Sequence, residues 1–253
     1  MQPTLFIGHG SPMNALGGND YARSLLSLGE ALPRPSGILV VSAHWQTEAT
    51  LVSISDPPPV IYDFTGFPEE LYSLKYPAPG APRLVARVKE LLEIEGSAAW
   101  GLDHGAWAVL RHLYPRADIP VTQLSLNRGA SFADHLALAE KLKPLRQEGF
   151  LILGSGNIVH NLRRISWEEN GPVLPWAQEF DLAIKTALLA HDFAAVAKFK
   201  GIDPSLVKLS VPTTEHYLPL LYAMGASEST EKIEFPFEAL QNGSISMRSV
   251  RFG

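Results

Sequence analysis

The sequence predicts an α/β protein: one three-layer domain over residues 1–253, with a mostly parallel or mixed central sheet covered by helices. Two observations carry the prediction. Short runs rich in Val, Ile and Leu alternate with longer stretches whose apolar residues recur every three or four positions, the order expected when helical crossovers connect strands. The 253 residues are 46% hydrophobic and only 19% charged, enough apolar material for one sizeable core.

Strand-like runs fall at residues 5–8, 38–43, 50–54, 120–126, 150–154 and 246–252. Helical periodicity covers 21–31, 81–95, 105–113, 132–147, 176–190 and 216–224. The helix over 132–147 opens on Ser131-Phe132-Ala133-Asp134, a helix-start pattern, and Gly149 follows as its stop. The last strand is expected to join the sheet antiparallel. Residues 56–79 read DPPPVIYDFTGFPEELYSLKYPAP and break the alternation. Proline interrupts regular structure there, while Tyr62, Phe64, Phe67, Tyr72 and Tyr76 add aromatic mass, so the segment reads as an ordered wall or lid rather than a disordered linker.

The formal net charge of -5, with Lys and Arg scattered, excludes the basic field that nucleic acid or an anionic membrane would require, and a small-molecule partner is expected instead. No apolar stretch approaches the roughly 20 residues that span a bilayer, and residues 1–3 lead into a strand without a charged leader, so a cytoplasmic location is expected. The absence of cysteine rules out disulfides and thiolate metal sites. Any metal must take nitrogen and oxygen ligands, which suits zinc, iron or manganese.

The histidines carry the chemistry. His9 follows the strand over 5–8, His44 the strand over 38–43, and His160 the strand over 150–154 and the turn Gly154-Ser155-Gly156-Asn157. In open α/β sheets ligands bind beyond the carboxyl ends of the strands, so three imidazoles at three such ends can meet around one metal ion. His216 differs: it follows Thr213-Thr214-Glu215 and is expected in a first helical turn capped by Thr213 or Thr214, where the helix dipole favours neutral imidazole. Glu215 is the competing ligand of a two-histidine, one-carboxylate site. His104, beside Asp103, is a candidate for proton transfer or for a helix start, and His112, His135 and His191 read as structural or solvent-facing. No HExxH, P-loop, GxSxG or GxGxxG occurs, so zincin, NTPase, α/β-hydrolase and nicotinamide chemistries lack their defining parts.

The segments GHGSPMNAL at 8–16, VVSAHW at 40–45, DFTGFPEELY at 63–72, YPAPG at 76–80, GLDHGAWAVL at 101–110, GSGNIVHNLR at 154–163, PWAQEF at 175–180 and TTEHYLPLLYAMGA at 213–226 together resemble the 4,5-DOPA extradiol dioxygenase family, of the class III, LigB-type ring-cleavage enzymes. The resemblance spans essentially the whole chain and implies a single LigB-type catalytic domain with one non-haem metal. It implies His9, His44 and His216 as metal ligands, with His160 facing the same centre. Relatives in the wider group use a glutamate as third ligand and a histidine matching His160 as acid/base. The third ligand is therefore Glu215 or His216, and His160 is either a ligand or a catalyst.

The implied reaction opens a DOPA-like catechol with dioxygen, Fe(II) serving turnover and Zn(II) being possible as the bound ion. His160 and His104 are the candidate acid/base residues, each with an ordinary titration range near neutrality. Trp45, Phe64 and Asn157 are the leading substrate-binding candidates, with Phe67, Trp107, Asn161 and Ser125 behind them. The partners expected are the catechol and dioxygen, with neither nucleic acid nor membrane, in a monomer or small homo-oligomer. Two rival readings use the same histidines: a zinc hydrolase, and a catalytically silent metal-binding protein.

Overall fold

Leu5 and Ile7 point to one face of the first strand and Phe6 to the other, and all three are fully buried. The same alternation recurs in the second strand, where Ile38 and Val40 join one core and Leu39 and Val41 the other, and in the sixth, where Leu151 and Leu153 oppose Ile152. A strand buried on both faces needs cover on both sides, and this is the physical origin of the three layers.

The structure, a computed structural model, describes every residue except Trp167, Glu169 and Asn170. In chain order its elements are β1 (Thr4–Gly8), α1 (Asp20–Ala31), β2 (Gly37–Thr47), β3 (Leu51–Ser53), α2 (Glu69–Ser73), α3 (Pro82–Leu92), β4 (Glu95–Ser97), α4 (His104–Leu113), β5 (Val121–Asn127), α5 (Phe132–Lys141), α6 (Lys143–Gln147), β6 (Phe150–Gly156), α7 (Pro175–Leu189), α8 (Phe193–Lys198), α9 (Pro204–Ser210), α10 (Leu218–Gly225), β7 (Ile233–Phe237), β8 (Leu240–Gln241), β9 (Ile245–Ser246) and β10 (Ser249–Phe252). An eight-stranded sheet runs β4-β3-β5-β2-β6-β1-β10-β7. The four central strands are parallel, β10 and β7 extend the sheet antiparallel beside β1, and β3 meets β5 antiparallel. The mixed sheet and its antiparallel C-terminal strand are as the sequence predicts. No helix is long and apolar enough to cross a membrane among the described residues.

Several predicted boundaries move, each for a local reason. The helix expected over 132–147 is two, because Pro144 has no N–H to give the carbonyl of Glu140; α5 begins where expected, and Ser131 and Asp134 there cap each other reciprocally. The helix expected over 81–95 stops at Leu92, where Glu93 turns into the left-handed region (φ 55°) and frees residues 95–97 to pair with β3. The last predicted strand splits into β9 and β10. The helix expected from 216 begins at Leu218, with no side-chain cap from Thr213 or Thr214. Pro219 has no N–H for the carbonyl of Glu215, and the carbonyl of His216 instead accepts the N–H of Asn157 at 2.8 Å. His216 thus sits on a turn ahead of the helix. β4, β7, α2, α8 and α9 carried no periodic signal strong enough to be expected.

Candidate metal centre

Strand ends deliver the imidazoles. His9 leaves β1 directly, His160 follows β6 by four residues, and His44 lies near the end of β2 where the pairing with β5 slips between Val41 and Gln46, an irregularity that re-aims side chains. Two other elements close in from the sides. α4 starts at His104, capped by Asp103, and the turn before α10 brings His216. Both approaches need glycine: a Cβ on Gly156 would lie 2.1 Å from the His216 carbonyl oxygen, and one on Gly105 would lie 2.6 Å from Ser42 Oγ and 3.1 Å from His44 Cδ2.

Five rings therefore meet. Ring centroids are separated by 5.0 Å for His9 and His44, 5.3 Å for His9 and His216, 5.1 Å for His44 and His216, 5.4 Å for His9 and His104, and 4.1 Å for His44 and His104. His160 stacks on His216 at 3.4 Å. Ligating atoms of His9, His44 and His104 lie within 4.8 Å of one another, and so do those of His160, Glu215 and His216.

Neighbours set the tautomers. Ser155 donates its hydroxyl to the carbonyl of Gly105 at 2.6 Å and so accepts from His9 Nδ1 at 3.0 Å. His44 Nδ1 lies 3.3 Å from Asp63 Oδ2, and His216 Nδ1 lies 3.2 Å from Glu215 Oε1. A carboxylate only accepts, so His9 and His216 carry the proton on Nδ1 and keep a lone pair on Nε2, and the nearness of Asp63 favours the same tautomer in His44 once an ion is bound. The Nε2 atoms of His9 and His44 face each other at 3.1 Å. Two imidazole nitrogens at this distance share either a proton or a cation. Metal–imidazole bonds of about 2.0–2.1 Å put two such ligands about 3 Å apart, so the donor set fits one ion.

Burial keeps four of the imidazoles neutral. It holds His9 and His216 well below the ordinary imidazole range, the neighbouring histidines adding to the effect. His44 and His160 are each pushed down to about 4, by burial first, with His104 lowering His44 further and Glu215 partly restoring His160. Neutral imidazole is the form that binds metal. Burial alone would raise the carboxyl of Asp63, but the close approach of the His104 ring, with that of His44 and the backbone N–H of His104, more than offsets it and leaves the group below its usual range.

The aromatic segment is ordered, as expected of a wall. Phe64 sets its ring edge-on to His104 at 5.6 Å and packs on Phe67 and Tyr72, and Trp107 donates its indole N–H to the carbonyl of Ile61 at 3.0 Å. Trp45 is buried and lies parallel to Trp100 at 5.9 Å. Asn157 is buried and donates to the carbonyl of Ser246, and Asn161 donates to that of Leu209. Ser125 binds Thr47 and the N–H of Leu51, away from the imidazoles. His112 and His135 make the structural contacts expected of them, with the carbonyl of Asn14 and the hydroxyl of Tyr222.

Three polar residues escaped the sequence reading. Asp63 and Ser155 hold the imidazoles, and Asp103 is fully buried, accepting from Ser42, Trp100, Gln123 and the N–H of Ala106 beneath the centre. The acid that meets His104 is Asp63, 41 positions away in the chain, and not its neighbour Asp103. The local signals for Asp63 were its proline-rich surroundings and its place at the head of the segment DFTGFPEELY.

Comparison with known proteins gives the same picture from an independent direction. The family model described as "Catalytic LigB subunit of aromatic ring-opening dioxygenase" matches residues 6–253. A protein of Escherichia coli (strain K12) named "4,5-DOPA dioxygenase extradiol" is 46% identical over 99% of this chain and 94% of its own length. One of the same name from Beta vulgaris is 40% identical over 100% of this chain and 97% of its own length. The crystal structure of an uncharacterized E. coli K12 protein superposes with a TM-score of 0.87 at 42% identity, covering 100% of both chains. A match running nearly end to end includes every strand end that delivers an imidazole, and on that ground the chain belongs to the LigB family of aromatic ring-opening dioxygenases.

Proposed function

We propose that the protein is an extradiol dioxygenase that opens a catechol, DOPA or a close analogue, with dioxygen at a single metal ion, and that residues 1–253 act as one catalytic domain in the cytoplasm. The observation that carries the reading is the set of three imidazoles, His9, His44 and His216, each with its Nδ1 beside an oxygen and its ring centroid 5.0–5.3 Å from the other two. These three would hold the ion, with Glu215 serving as the acceptor behind His216 rather than as the third ligand. Bound there, Fe(II) would supply open positions for both reactants and the redox chemistry that zinc lacks.

The remaining residues divide the other tasks. His160 is neutral and, among the described residues, its ring accepts and donates no hydrogen bond, so it is free to take a substrate hydroxyl proton and return it; it is the catalyst in this reading, with a fourth-ligand role as the other outcome. His104 would be the second proton-handling group. Phe64 would border the catechol ring, while Trp45 and Asn157 would act at one remove, Trp45 through its stack on Trp100 and Asn157 by tying the β6 turn to Ser246. Family membership and the names of the relatives support the substrate class.

The test is anaerobic reconstitution with Fe(II), followed by L-DOPA and oxygen. Oxygen uptake with a yellow ring-opened product is expected. No turnover across a panel of catechols would overturn the proposal, and activity with zinc without oxygen uptake would replace it by hydrolysis.

A further inference from the structure

One carboxylate touches two of the five imidazoles. Asp63 Oδ2 lies 3.3 Å from His44 Nδ1 and 3.0 Å from His104 Nδ1, and Oδ1 accepts the backbone N–H of His104 at 2.9 Å. His104 Nδ1 is buried, and its approach to Oδ2 is off the line of a full hydrogen bond; among the described residues it has no other acceptor. The carboxylate is held from both sides. Ile61 accepts from Trp107, the Tyr62 hydroxyl donates to the carbonyl of Leu74 at 2.6 Å and accepts from Lys75 at 2.9 Å, and Phe64 packs on His104.

We propose that Asp63 is a positioning residue for two histidines at once, keeping the protons of His44 and His104 on Nδ1 so that both rings present Nε2 to the centre. The inference rests on the metal-centre reading above, yet it concerns the chain's own hydrogen bonds. Without an acceptor at Nδ1 an imidazole is free to carry its proton on Nε2, where it blocks ligation in His44 and misdirects proton transfer in His104. The wall segment thereby does more than line a pocket. It supplies the group that orders a metal ligand and a proton-handling residue together, so wall and metal centre are assembled as one unit.

Asp63→Asn is the informative variant. The amide keeps the size of the side chain and one acceptor for the His104 backbone N–H, but it has a single oxygen and places an N–H₂ among ring nitrogens that need acceptors. Long-range proton–nitrogen spectra of ¹⁵N-labelled, metal-free protein distinguish the protonated from the bare ring nitrogen. In the wild type, His104 is expected to show protonated Nδ1 and bare Nε2, whereas His44 Nε2, 3.1 Å from His9 Nε2, is read through metal binding. In Asp63→Asn His104 should move its proton to Nε2, and Zn²⁺ affinity, titrated without catechol or oxygen, should fall about 10–100-fold.

Unchanged tautomers and unchanged zinc affinity in the variant would overturn the proposal. If the variant does not fold, the wild-type spectrum decides alone: a proton on Nε2 of His104 in the metal-free protein is incompatible with it. A protein that opens no catechol but keeps the Asp63-dependent tautomers and zinc binding would sink the dioxygenase reading and leave this one standing.

Discussion

His160 lies face to face with His216, their ring centroids 3.4 Å apart and their planes inclined by 9°. The contact joins the two histidines whose roles the sequence leaves open. His216 is anchored through Nδ1 to Glu215 and is buried, whereas His160 is half-buried. One ring of the pair is therefore tied down, and the ring nitrogens of the other make no hydrogen bond among the described residues.

Replacing His160 by Ala separates the two roles. If His160 handles the proton, His160→Ala keeps one metal per chain and loses about 10²–10⁴-fold in kcat. Metal analysis alongside oxygen uptake reads both quantities, and loss of the metal would make His160 a ligand instead.

Ser155 gives a gentler perturbation on the opposite side of the centre. Ser155→Ala leaves the buried Nδ1 of His9 without its acceptor, and such an orphan costs about 1–3 kcal/mol. Thermal unfolding should show that loss, with metal affinity weakened and not abolished. A variant as stable and as tightly metal-binding as the wild type would show that the bond has no orienting role.

The depressed imidazoles predict how the metal-free protein responds to acid. His44 and His160 titrate near 4 in the folded protein, against 6.5 ordinarily, so between those values the unfolded chain binds more protons and stability rises with pH. Urea midpoints of the metal-free protein should fall as the pH is lowered from 7 towards 4, and His160→Ala should flatten the slope. A slope unchanged by the substitution would contradict the assignment. Because the ligands are already neutral at pH 7, zinc uptake there should release few protons, which calorimetry in buffers of different ionisation enthalpy measures.

Gly156 tests the close approach that seats His216. In Gly156→Ala the new Cβ meets the His216 carbonyl at 2.1 Å, and relief requires β6 and the His216 turn to part. Destabilisation of at least about 1–3 kcal/mol is expected, together with weaker metal binding. Wild-type behaviour in both measurements would mean that the turn has slack.

The sequence by itself determined the layers, the parallel centre and the antiparallel edge, because two-sided burial writes Val, Ile and Leu into short runs and amphipathic helices write their own period between them. It also determined that His9 follows the end of a strand and that residues 56–79 form an ordered aromatic wall, whereas His44, expected to follow its strand, lies inside β2, which runs on to Thr47, and His160 lies four residues beyond β6. Some of what it obscured was present locally: Pro144 breaks α5 from α6 although the apolar period runs through it, and Pro219 delays α10 past His216. Tertiary structure alone decided the rest. Ser155 is 146 positions from His9 and Asp63 is 41 from His104, so no spacing rule could pair them. Which ring nitrogen carries the proton depends on an acceptor brought in from another element, and that contact exists only after the sheet, the wall and the turn before α10 have closed around the same few ångströms.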